Sequence, residues 1–238
     1  MYTDYILNKQ TSNRMKLKPI IEGIKLSAPS KMPCKSWSLQ ARSTCPGSID
    51  PVTKDLVPAC QGCYATTGMY NMPNVKAVRD HNKQDWKRDE WVSEMVQELD
   101  NSRYFRWFDS GDLYSVKLAI KIYEVMKLTP WCKHWLPTRS HKFKKFSSIL
   151  KKMNDLQNVV VRFSSDSITG EIIKGKTTST IVQYFEDATS EMSVCEASTR
   201  GGKCGPCRAC WDKNTPVIAY IAHGASIKKQ YKLIAASA

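Results

Sequence analysis

The chain has no apolar run approaching ~18 residues, so no membrane span is expected. The first residues, "MYTDYILNKQTSNRMKLK", contain no apolar h-region, which leaves a secretory signal without support and makes the cytoplasm the expected compartment. No P-loop, Rossmann fingerprint or G-x-S-x-G motif is present, and there is no internal repeat or low-complexity tract. Acidic residues are the scarce charge: 22 Asp and Glu stand against 36 Lys and Arg, a net charge of +14. That excess points to a polyanionic partner, DNA, RNA or a nucleotide, gripped through phosphates with an affinity that falls as salt rises. Lysines concentrate in "HKFKKFSSILKK" and "IKKQYK". A basic surface that is merely solvated is the plainer alternative.

What the chain has in abundance is cysteine, nine in 238 residues. A chain of this length buries a full core without disulfides, a reducing compartment would not keep them, and an odd number cannot all pair. Metal ligation is the better account. "CEASTRGGKCGPCRAC" places Cys195, Cys204, Cys207 and Cys210 in a C-x8-C-x2-C-x2-C pattern, with Gly201, Gly202 and Gly205 available for tight turns. Thiolates select zinc or an iron–sulfur cluster. Zinc usually takes two separated C-x2-C knuckles, whereas a C-x2-C-x2-C run wraps a four-iron cubane more naturally, which favours [4Fe–4S] over zinc. "CPGSIDPVTKDLVPACQGCYA" gives a second set, Cys45, Cys60 and Cys63, spaced C-x14-C-x2-C. Cys34 is a candidate fourth ligand: if it binds, that set is closed, and if not, one iron is open to a small molecule. The two sets could also share one site. Cys132 reads as a buried thiol.

Residues 1–30 read as an N-terminal arm and 31–238 as a single β/α domain. Strands are expected over 36–41, 104–110, 134–140, 158–166, 178–185 and 217–224, and helices over 73–100, 115–128 and 143–153. The alternation indicates a parallel sheet. Residues 167–216 break the rhythm, and 186–216 form a cysteine-rich cluster-binding segment. Strand after strand ends in polar residues: Asp109 to Asp112, Thr138 to Ser140, Ser164 to Asp166, and His223 with Gly224. The carboxyl ends of parallel strands are where β/α proteins build their sites, so Asp109, Asp112, Arg139, Ser164 and His223 are the candidate cofactor-binding residues. Asp109 and Asp112 could instead cap the helix near Ser115. His134 and His141 are candidate ligands or acid–base groups, and Arg162 could hold an anion or make an ion pair at the core's edge. Tyr64, Trp107, Trp135 and Trp211 could stack bases or shield the core and clusters.

These motifs, in order, carry a resemblance. "STCPGS", "ACQGCYA", "FRWFDSGDLYS", "HWLPTRS", "VVVRFSSD", "CGPCRACWD" and "AYIAHG" together resemble the phage gene-product-88 family over roughly residues 34–224. That resemblance implies a phage or prophage source and a host-cell cytoplasmic location. A cysteine loop after the first strand of a β/α chain is more distantly similar to the radical S-adenosylmethionine (SAM) superfamily. It implies a partial (β/α) barrel and a [4Fe–4S] cluster on Cys45, Cys60 and Cys63, with SAM on the fourth iron and cleaved to a 5′-deoxyadenosyl radical. The superfamily pattern is C-x3-C-x2-C, so Cys45 fits only if its longer spacing is a loop insertion. Asp109 or Asp112 of "DSGD" would take the place of the motif that binds the SAM amino group, and Cys195 to Cys210 would suit an auxiliary cluster. The leading expectation is therefore an iron–sulfur enzyme, radical-SAM-like, acting on nucleic acid or a nucleotide. The alternatives are a nucleic-acid-binding protein with structural iron–sulfur or zinc sites, and an electron-transfer or redox-sensing protein.

Overall fold

The computed structural model describes residues 23–236. Most of the arm expected over 1–30 therefore lies outside the described residues; near its end, Ser27 pairs antiparallel with Ser36. Among these described residues, seven strands, β1 (Ser36–Trp37), β2 (Tyr104–Trp107), β3 (Lys133–Thr138), β4 (Val159–Ser164), β5 (Thr178–Val182), β6 (Met192–Cys195) and β7 (Val217–Ile221), form one sheet. Its order is β1-β2-β3-β4-β5-β7-β6, and every pairing is parallel. The mixed α/β class expected from the alternation is therefore present, with β1 and β6 as the two edges.

Among the described residues, six α-helices accompany the sheet: α1 (Pro58–Gln61), α2 (Pro73–Asp85), α3 (Trp91–Glu98), α4 (Val116–Leu128), α5 (Lys144–Asp155) and α6 (Ala225–Ala236). Helices α4 and α5 are the crossovers from β2 to β3 and from β3 to β4, and they pack against each other, with α3 beside α4. In α5, Phe146, Ile149, Leu150 and Met153 repeat at helical spacing and are buried, while Lys144, Lys145, Lys151 and Lys152 face water. Each such buried side chain contributes roughly 1.5–3 kcal/mol. Val159, Val160 and Val161 of β4 are all buried, as a parallel strand covered on both faces requires. The core centres on Trp37, Trp91 and Trp107, with Trp37 edge-on to Trp91 at 5.4 Å and to Trp107 at 6.2 Å.

Three features depart from the sequence reading. The single helix expected over 73–100 is two, α2 and α3. In one continuous helix Trp86 and Trp91 would point about 140° apart. The break at 86–90 lets both be buried, and Arg88 ties it by bonding Asp85 at 2.6 Å and Glu94 at 2.5 Å. The cysteine-rich 186–216 contributes a strand, β6, to the sheet edge, so it is joined to the main sheet. Helix α6 was not expected; its Ile227 and Tyr231 pack with Ala59 and Ile168 under the first cysteine loop.

Candidate functional site

The first cysteine loop runs from the end of β1 to α1. Cys45 precedes a 3-10 turn, Pro46–Ser48, and its carbonyl accepts from the Ser48 amide at 3.0 Å and hydroxyl at 2.7 Å. The long Cys45-to-Cys60 spacing is taken up by a pinched excursion. Val57 N–H donates to Ser48 O at 3.0 Å, Ile49 and Leu56 form an antiparallel bridge, and the Asp50 carboxylate accepts from the amides of Val52 and Thr53 at 2.8 and 2.9 Å. The excursion returns the chain beside its start. Cys60 lies in α1, and Cys63 N–H donates to Cys60 O at 3.3 Å. Ala59 N–H donates to Asp166 O at 2.9 Å, fixing α1 to the loop after β4. Two glycines permit the close fit. A Cβ on Gly47 would lie 2.6 Å from the backbone oxygen of Arg139, and one on Gly62 would lie 2.4 Å from Ile227 Cγ1. Burial pushes the Cys45 thiol up to about 12 and raises that of Cys60; each of these feels the charge of Cys63.

The second set follows β6. Gly201, Gly202 and Gly205 all have positive φ, 60°, 78° and 56°, so they make the tight turns that the sequence predicts. Cys204 N–H donates to Lys31 O at 2.9 Å, and Cys207 N–H to Cys204 O at 3.3 Å. Cys195, Cys204, Cys207 and Cys210 together line a void of about 30 Å³. Beneath it, the fully buried Arg162 donates to four backbone carbonyls, those of Ala209 (2.7 Å), Cys210, Thr215 and Asp212 (each 3.0 Å). The expected roles of Arg162, an anion grip or an ion pair at the core's edge, are therefore replaced by a scaffold for this turn. Cys34 sits on this side. It feels the charge of Cys204, Arg106 and Arg208, and it is not among the residues lining the cavity that Cys45, Cys60 and Cys63 share.

Both sets open onto one cavity of about 440 Å³ at the carboxyl ends of the strands. Cys45, Cys60 and Cys63 line it from one end of the chain, and Cys195, Cys204 and Cys210 from the other. Asp109, Asp112, Arg139, Ser164 and His223 line it too, so the structure brings together all five strand-end candidates. Their surroundings differ. The Asp109 carboxylate accepts from the Ser38 hydroxyl and from Tyr70 (3.3 Å), with Arg79 at 4.0 Å, while its backbone carbonyl accepts from the Tyr64 hydroxyl at 2.6 Å. Asp112 accepts from Leu113 N–H and Thr138 Oγ1 at 2.6 Å and from Arg139 N–H at 2.8 Å; burial raises its pKa against those bonds. Neither aspartate caps α4, whose first residue follows Ser115 with no side-chain cap. Arg139 donates to Ser165 O at 2.8 Å, with Asp166 at 3.4 Å from its Nε. Ser164 and Ser179 hydroxyls meet at 3.2 Å, and His223 is exposed at the rim.

Two histidines fall outside this group. His134 is fully buried; Trp107 Nε1 donates to its Nδ1 at 3.3 Å and its Nε2 meets the Thr129 hydroxyl at 2.8 Å, a core role. His141 bonds Ser164 O at 3.2 Å and sits edge-on to Phe163. Trp107 belongs to the core, whereas Trp135 and Trp211 meet edge-on at 5.3 Å, Trp135 on the cavity wall. Sequence reasoning passed over Arg106 and Tyr220, both cavity-lining. Their signal was alternation: each is a polar side chain set between apolar neighbours in a strand. Among the described residues, no group of three or more His, Cys, Asp or Glu side chains stands as a metal-ion site; the thiols ring the voids.

A family model described as Gene product 88 matches residues 7–213. No curated protein and no solved structure matches the chain.

Proposed function

Since the chain belongs to the gene product 88 family, we propose from that premise and from its cavity that it is a phage or prophage iron–sulfur protein, a radical-SAM-like enzyme acting on nucleic acid or a nucleotide. One observation carries this reading: six thiols, from two distant stretches of sequence, face a single cavity at the carboxyl ends of parallel strands. We favour clusters over zinc for these donors. Tetrahedral zinc with ligands at 2.3 Å needs thiolates about 3.8 Å apart, converging on a point. A four-iron cubane spreads its thiolates around a larger body, which suits thiols ringing a void.

On this reading Cys45, Cys60 and Cys63 hold one [4Fe–4S] cluster and leave it a position open to SAM, while Cys195, Cys204, Cys207 and Cys210 hold the other. The pinched excursion between Ile49 and Leu56 supports treating the long spacing as an insertion. Bound there, a cluster would supply single electrons to a ligand in the cavity. The sheet, in chain order from β1 to β5, is read as the wall of a partial barrel. The chain's own residues hold this wall in shape. Asp112 fastens the loop after β2 to the end of β3, and Asp109 is held by Ser38, Tyr70 and Arg79. Asp109 remains the candidate to meet the SAM amino group, and His223, at the rim of the same cavity, a candidate cofactor-binding residue. The +14 charge supplies the attraction for a polyanionic substrate.

The test is reduction of anaerobically purified protein with SAM present. Release of 5′-deoxyadenosine, lost in Cys63→Ala, is the expected result. Protein with intact clusters that releases none would overturn the enzyme reading and leave that of an electron carrier.

A further inference from the structure

Arg106 lines the cavity that both thiol sets share. Arg106 is the third residue of β2, and alternation along the strand puts Phe105 and Trp107 in the core and Arg106 on the cavity wall. Its guanidinium lies 4.4 Å from the centre of the Trp135 ring. One terminal nitrogen reaches the Tyr64 hydroxyl at 3.4 Å, the other meets the Met32 sulfur at 3.4 Å, and Nε is buried with no hydrogen-bond partner. Among the described residues, no carboxylate stands within ion-pair distance of it; the Asp109 carboxylate acts on it from farther off and is already taken by Ser38, Tyr70 and Arg79. Arg139, on the same cavity, also has a buried Nε without a hydrogen bond, but Asp166 pairs with it at 3.4 Å and the Ser165 carbonyl accepts from its terminal nitrogen.

A partly buried cation with long, neutral partners is costly unless something anionic completes it. A guanidinium presents a planar fork that matches a carboxylate or a phosphate with two parallel bonds. Tyr64, Tyr70, Trp135 and Tyr220 surround it on the wall, and a cavity of about 440 Å³ is in the range that holds small molecules. We propose that Arg106 is the recognition residue of a subsite for the oxyanion of a small, apolar-bodied acid, either a carboxylate or a phosphate monoester. The subsite rests on reading this cavity as a ligand site, and because Cys204 and Cys210 as thiolates would act on the same guanidinium, the iron content is read beside the binding.

The test uses protein as purified, with iron and sulfide measured on the same sample. Calorimetric titration compares adenosine 5′-monophosphate with adenosine, and benzoate with benzamide, so each anion is set against a neutral counterpart. At least one anion is expected to bind about tenfold tighter than its counterpart, and Arg106→Gln to remove that preference. Which pair shows it separates phosphate from carboxylate. If Arg106→Gln does not fold, Arg106→Lys decides: it keeps the charge, loses the fork, and is expected to weaken the anion about threefold or more. Equal binding of charged and neutral forms, an unchanged preference in the Arg106 variants, or no binding of either anion by the wild type overturns the proposal. Iron-free protein that binds the anion through Arg106 upholds the subsite and fails the iron–sulfur reading. Iron-loaded protein indifferent to both anions does the reverse.

Discussion

At the scale of residues, Arg162 holds the backbone of Ala209, Cys210, Asp212 and Thr215 with one side chain. Replacing it with methionine leaves the Cys210 and Thr215 carbonyls without that donor, while Ala209 O and Asp212 O keep the amides of Asp212 (3.1 Å) and Thr215 (3.3 Å), so Arg162→Met is expected to cost roughly 2–4 kcal/mol in urea unfolding. It should also release the Cys204 to Cys210 turn. An unchanged midpoint would remove the scaffold role. His134 makes a pH prediction. Trp107 donates to Nδ1, so the proton sits on Nε2, facing Thr129. Burial holds its pKa down to about 3, against the Thr129 bond, from the usual value of ~6.5. The unfolded chain therefore takes up this proton first as pH falls. The stability is fully present above ~6.5 and is lost progressively toward 3, about 2 kcal/mol by pH 5. Urea midpoints of wild type and His134→Gln at pH 7.5 and 5 check this: the variant should lose less on acidification. The two strand arginines show where sequence reading stops. "YFRWF" and "VVVRF" look alike, yet Arg106 faces a cavity and Arg162 a set of carbonyls, and only the packing of the cysteine segment separates them.

At the scale of elements, the first cysteine loop is seated by contact as much as by hydrogen bonds. Gly47 lies against the Arg139 backbone, which cannot retreat without disturbing β3 and the Asp112 bonds. Gly47→Ala is expected to cost about 1–3 kcal/mol and to lower iron content, measured by unfolding and metal analysis. Wild-type values for both would mean that the loop is not seated this way. The strands and crossover helices were legible because apolar period-two runs alternate with an amphipathic α4 and α5. The five strand-end polar residues were legible by the same logic, since a parallel sheet sends every carboxyl end to one side. What was not legible depends on distant partners. β6 is four residues with no buried face of its own and exists by pairing with β7. Helix α6 was masked by its lysines, and the split between α2 and α3 is set by where two tryptophans find the core.

At the scale of the whole molecule, no helix among the described residues is long and apolar enough to cross a membrane, and the sequence carries +14. Binding of a mixed-sequence RNA or single-stranded DNA is expected to weaken linearly in log affinity against log salt. An absence of binding even at low salt would make the charge incidental. On the proposed reading, two thiol sets, seated on separate elements, hold two clusters around a shared cavity. The direct measurement is iron, sulfide and zinc content of anaerobically purified wild type, a Cys45/Cys60/Cys63→Ala variant and a Cys204/Cys207/Cys210→Ala variant. The account predicts brown protein with about eight iron and eight sulfide per chain, halved in each variant. Colourless protein with stoichiometric zinc, or one variant losing all the iron, would contradict it.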